Sequence, residues 1–177
     1  LPSIMEKLFV YVEGRARDEP GEAAIGVAVT DTRGNVVEEV ARIIGRATSQ
    51  IAQYRALMEG CRLAYEYTPQ AVIFFTNDQD LTNHINGVFE SRQPQVKHLI
   101  EATKSLLNEF PQWRVNLIDR AAHSRASRLV ERAFYDKHQT RRARERLETR
   151  LLAQTAALGE PQMERLIEYA KELKETD

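Results

Sequence analysis

Hydrophobic and polar positions follow two different periods along this chain. Lys7-Leu8-Phe9-Val10-Tyr11-Val12 is β-branched and aromatic, which predicts a strand. Pro20-Gly21 predicts a turn, and Ala24 to Val29 a second strand. Asp31-Thr32-Arg33-Gly34-Asn35 reads as a hairpin turn, with Val36 to Ile44 returning as a third strand. The spacing then becomes helical. Ile51, Tyr54, Leu57, Met58, Cys61 and Tyr65 recur at three and four residues, behind Thr48 or Ser49 as a cap. Ala71 to Phe75 is a short continuous apolar run, which predicts a buried strand. Asn77 or Asp78 caps a short helix that stops near Asn86-Gly87. Val96, Leu99, Ile100, Leu106 and Leu107 predict a helix that ends before Pro111. Trp113 to Ile118 alternates as a half-buried strand does, and a helix from about Ser124 to Lys137 follows.

Three strands in a meander, then helix-crossed strands, imply a mixed sheet with helices packed on it. Residues 6–137 therefore read as one α/β domain and residues 138–177 as a helical extension. In the extension, Leu147, Leu151, Thr155 and Leu158 share a face; so do Met163, Leu166, Ile167, Ala170 and Leu173. Gly159 is a natural stop and Pro161 a natural first-turn residue, so the segment reads as a helical hairpin. Each stripe needs a cover, supplied by its mate, by the domain or by a second chain.

Composition narrows the class. Hydrophobic residues are 42% and charged residues 29% of 177, the balance of a soluble globular protein. No apolar run approaches the ~20 residues of a membrane span, and residues 1–5, set aside here, have no secretory pattern. Cys61 is the sole cysteine, which excludes a disulfide framework and a cysteine-based zinc site and makes the cytoplasm the expected compartment. The net charge of −1 conceals a contrast. Residues 114–150 carry 11 basic and 5 acidic groups, whereas residues 151–177 carry 3 and 6. The middle block is a candidate polyanion-facing surface or an Arg-rich solvated helix. His84, His98, His123 and His138 lack metal-ligand spacing.

Four segments, in their order, carry a more specific signal. Glu13-Gly14-Arg15-Ala16-Arg17 ends the first strand and precedes Pro20-Gly21 and Ile25-Gly26-Val27. Gly45-Arg46-Ala47-Thr48-Ser49-Gln50-Ile51-Ala52-Gln53-Tyr54-Arg55-Ala56-Leu57 opens the long helix. Thr76-Asn77 ends the fourth strand, with Asn83 to Gly87 after it. His123-Ser124-Arg125-Ala126-Ser127-Arg128-Leu129 opens the helix after the fifth strand. Over about residues 7 to 134 this resembles ribonuclease H type 1, in its compact bacterial and archaeal, reverse-transcriptase-like form. The resemblance implies a ribonuclease H-like α/β fold, a five-stranded mixed sheet flanked by helices, here followed by the C-terminal hairpin. It also implies two-metal hydrolysis of the RNA strand of a hybrid by four carboxylates. The matching positions hold Glu13, Gln53, Asn77 and Ser127. All four depart from the family pattern, and three are uncharged. A residual metal site would draw on Glu13 and Asp78. The resemblance carries nucleic-acid contacts to Gly14, Arg15, Ala16, Thr48, Ser49 and Gln50; Arg125 and Arg128 flank Ser127 and can meet phosphate.

Three readings stay open. One is a catalytically impaired domain that binds a nucleic acid, an RNA–DNA hybrid or duplex. Another is a pseudoenzyme scaffold that binds a protein partner, or a second copy as a homodimer, through residues 139–174. The last is a slow or variant metal-dependent hybrid ribonuclease. No cofactor is expected unless activity is retained, in which case Mg2+ or Mn2+ is required.

Overall fold

The computed structural model describes residues 5–122 and 124–175. His123 therefore lies outside the described residues. The elements run β1 (Lys7–Ala16), β2 (Gly21–Thr30), β3 (Val36–Ala47), α1 (Ser49–Tyr65), β4 (Ala71–Thr76), α2 (Gln79–Ile85), α3 (Pro94–Leu107), β5 (Gln112–Leu117), α4 (Ser124–Thr155) and α5 (Glu160–Glu175). The five strands form one sheet in the order β3-β2-β1-β4-β5. β1, β2 and β3 pair antiparallel, and β4 and β5 run parallel to β1. This is the expected mixed sheet.

Local chemistry fixes the joints. Asp31 Oδ1 accepts from the backbone N–H groups of Arg33 and Asn35, both at 2.9 Å, and closes the β2–β3 hairpin. The Thr48 side chain caps α1 by accepting from Ile51 N at 3.2 Å. Asp78, rather than Asn77, caps α2 and accepts from Leu81 N at 2.6 Å.

Alternation along the central strands divides two packing layers. Leu8, Val10 and Val12 of β1 and Ile25, Val27 and Val29 of β2 join Tyr54, Leu57 and Cys61 of α1 in the main core. Ala24, on the other face of β2, packs with Val130, Ala133 and Phe134 of α4. Gly26 makes that approach possible, since a Cβ there would stand 2.4 Å from the Ala126 carbonyl oxygen. Burial pushes the Cys61 thiol up to about 12, as suits an inert core residue. Within α1, Glu59 is buried and bonds Arg62 at 2.8 and 3.1 Å, with Arg42 at 3.5 Å.

Two expectations change. The first three strands run further than their apolar runs suggest, because ladder pairing continues through Arg15, Ala16 and Ala47. The expected break near residue 138 is absent, and one helix runs from Ser124 to Thr155. No Gly or Pro interrupts residues 124–158, and just beyond the junction Arg141–Glu145 and Arg144–Glu148 pair at i,i+4.

The chain divides into two units, the first ending at Asp136 and the second starting at Lys137, a boundary inside α4. The second unit comprises the rest of α4 and α5. Among its described residues none is buried; Leu147, Leu151, Ile167 and Leu173 are all more than half exposed. No helix among the described residues is long and apolar enough to cross a membrane.

Candidate functional site

The site forms where β1 ends, between α1 and the start of α4. Residues at i and i+2 of a strand share a face, so β1 presents Tyr11, Glu13 and Arg15 together. The Glu13 side chain is only 5% exposed. Its Oε1 accepts from Arg15 Nη2 at 2.5 Å, and its Oε2 accepts from Ser127 Oγ. Arg15 Nη1 reaches on to Glu131 Oε1, one helical turn beyond Ser127 on α4. Desolvation pulls the Arg15 guanidinium down, yet hydrogen bonding and charge from Glu13, then from Glu131, outweigh it and the net shift is upward. Arg15 is thus a permanent cation wedged between two carboxylates.

Gln53 lies on the other side of β1. Its Oε1 accepts from Gly14 N at 3.1 Å. Gly14 fits only because it has no side chain: a Cβ there would lie 2.0 Å from the backbone carbon of Ala52. Asn77 follows β4. The parallel β1–β4 register runs to Tyr11–Phe75, so Asn77 leaves β4 beside the end of β1. The structure therefore brings Glu13, Gln53 and Ser127 together around the end of β1, with Asn77 at the neighbouring strand end.

The other sequence-derived positions divide by what they already do. Thr48 is the α1 cap. Ser49 Oγ accepts from Ala16 N at 3.0 Å, and Ser49 N donates to the Glu19 carboxylate at 2.9 Å. Gln50 is half-buried beside them. These residues tie the end of β1 to the start of α1. Arg125 does not turn toward Ser127: it donates to the Gly34 carbonyl at 3.3 Å and lies over the Tyr11 ring at 5.8 Å. Arg128 is exposed and lines an open depression of about 620 Å3 with Arg15, Arg120, Ser127 and Glu131. Sequence reasoning missed Arg120 and Glu131 as members. The signal for Glu131 was its i+4 spacing from Ser127; Arg120, in a connecting loop, had none.

The donor set can be tested against the metal pair that the fold family implies. Divalent magnesium takes anionic oxygens. Here Glu13 faces a guanidinium and a hydroxyl, Gln53 is a neutral amide bonded to backbone, and Asp78 caps α2. Among the described residues, no group of three or more His, Cys, Asp or Glu side chains is placed to hold a metal ion. The residues present do not suit a two-metal centre.

A mixed sheet of this order, crossed by α1 and α4 and gathering its polar cluster at the end of β1, defines a protein of the ribonuclease H fold. The family model described as reverse transcriptase-like matches residues 12–133, and the chain belongs to that family, within the ribonuclease H type 1 group. It is 27% identical to ribonuclease HI of Halobacterium salinarum over 130 residues, 73% of this chain and 65% of that protein. The crystal structure of that archaeon's RNase H1 superposes with a TM-score of 0.71, over 73% of this chain and 98% of that one. The N-terminal RNase H domain of a Mycobacterium tuberculosis protein follows at 0.69 and 25% identity, over 72% of this chain and 98% of that one. LC11-RNase H1, solved in complex with an RNA/DNA hybrid, gives 0.70 at 27% identity, over 73% of this chain and 98% of that one. The chain spans 35% of the length of a curated bifunctional mycobacterial relative.

Proposed function

We propose that this chain binds nucleic acid, an RNA–DNA hybrid or a related duplex, at the end of β1 without cutting it efficiently. The observation that carries the reading is the engagement of Glu13 by Arg15 and Ser127. The three other positions that match the family's acids are neutral: Gln53, Asn77 and Ser127. An empty cluster of carboxylates repels phosphate until metal ions neutralise it, and neutral side chains lift that repulsion. The same change withdraws the metal ligands on which hydrolysis depends, at several kcal/mol of transition-state stabilisation, each 1.4 kcal/mol being about tenfold in rate. The choice of ligand draws on LC11-RNase H1, whose complex holds an RNA/DNA hybrid.

The test is a gel shift on hybrid, double-stranded and single-stranded probes across a salt titration. Salt-sensitive retention of the hybrid or the duplex supports the reading. No shift on any probe at low salt contradicts it.

One observation favours a second reading, a scaffold that associates through its C-terminal helices. Leu147, Leu151 and Ile167 are each more than half exposed and leave apolar surface open to a partner. Light scattering on the full chain and on one ending near Lys137 separates the cases. A dimer that becomes monomeric on truncation supports association; a monomer in both removes the homodimer.

A further inference from the structure

We propose that Arg15 is the resident cation of this site, and that with Arg120 and Arg128 it receives one backbone phosphate of the bound nucleic acid where the relatives' fold would use divalent metal. The inference rests on the proposed nucleic-acid binding and specifies how the site achieves it.

Three features support it. First, Arg15 stands where positive charge is needed. Its guanidinium bonds the buried Glu13 carboxylate directly and, 40% exposed, opens onto the depression lined by Arg120, Ser127, Arg128 and Glu131. Second, it has donors to give. A guanidinium carries five N–H groups in a planar fork, and two of them go to Glu13 and Glu131. That fork matches the oxygens of a phosphate. Third, the charge sum is favourable. Arg15, Arg120 and Arg128 outnumber Glu13 and Glu131, so the depression keeps a net positive charge without a metal ion.

Glu131 then acquires a role. Its side chain is 65% exposed on α4 and holds one end of Arg15 from the solvent side. An incoming phosphate competes with it for the same N–H groups. Glu131 is a placeholder anion that swings away when the phosphate arrives, whereas buried Glu13 stays and orients the guanidinium.

The experiment measures affinity for a short fluorescent RNA–DNA hybrid, once in EDTA and once in Mg2+. Removing Arg15 alone would strand the buried Glu13 charge and risk unfolding. Arg15→Gln is therefore made in a Glu13→Gln background, with Glu13→Gln as its reference. The unmodified chain should bind in EDTA, and Mg2+ should give no gain in affinity. Adding Arg15→Gln to the reference should weaken binding about tenfold or more and lower the log–log salt slope by about 1. Glu131→Gln should tighten binding, an effect that loss of a structural ion pair would not produce. Binding that requires Mg2+, or that is the same with and without Arg15, overturns the inference but leaves nucleic-acid binding standing. A chain that binds no hybrid in either buffer overturns both.

Discussion

α1 and α5 are helices of almost equal length, 17 and 16 residues, and both carry apolar residues at three- and four-residue spacing. Their fates differ. α1 buries ten residues against the sheet and its neighbours, Tyr54, Leu57 and Cys61 among them. α5 buries none. The stripe alone does not decide the outcome; the surface offered to it does. α1 meets β1 and β2, whose alternate positions are Leu, Ile and Val throughout. α5 has no buried residue to match, and its stability draws on helix propensity and side-chain pairs such as Lys171–Glu168.

Mutations sharpen this contrast, and the largest effect belongs to the sheet domain. Gly14→Ala would drive a methyl group into the Ala52 backbone and should destabilise the fold by about 3 kcal/mol or more, seen as a steep fall in the denaturation midpoint. Leu57→Ala should follow at about 2–5 kcal/mol, because Leu57 is fully buried. Leu173→Ala, at a position 53% exposed, should change monomer stability by no more than about 0.5 kcal/mol. A Leu173→Ala loss as large as that at Leu57 would show that α5 is a core helix after all and would erase the comparison.

Acid gives a smaller difference. Hydrogen bonding from Arg62, against the opposing push of burial and with help from Arg42, holds the Glu59 carboxyl below its ordinary value of 4.5. A depressed folded pKa means that this stability is complete above the unfolded value and is lost as pH falls through the folded one. Denaturation should therefore show acid-side weakening that Glu59→Gln removes. The partner arginines are more than half exposed, so solvent screening limits the effect to about 1 kcal/mol. The exposed Arg141–Glu145 pair should contribute less and fade with added salt. Equal salt sensitivity at the two pairs would contradict the burial argument.

How much the sequence disclosed follows the same division. The strands, the Thr48 cap, the β2–β3 turn and the clustering of Gln53 and Ser127 beside Glu13 rest on local chemistry or on motif spacing, and each was legible. The length of α4 was less so. The sequence pattern ended one helix near Lys137, yet no Gly or Pro stops it there and it runs on to Thr155. The electrostatics of the site were half legible. Glu13 and Arg15 are two apart on a strand and must share a face, but the reach of Arg15 to Glu131 spans 116 residues of chain and is set by how α4 docks on β2. Arg125 shows the converse: its sequence position suggested phosphate, whereas packing turns it onto Tyr11 and the turn carbonyl of Gly34.

On the proposed function, the end of β1 keeps the shape of a ribonuclease H site and holds a guanidinium at Glu13 in place of metal. Single-turnover cleavage of an RNA–DNA hybrid by the unmodified chain, in excess Mg2+ and separately in Mn2+, tests it most directly. Intact hybrid is expected in both metals under conditions where the chain binds it. Robust cleavage that requires metal and is abolished by Glu13→Ala would contradict it.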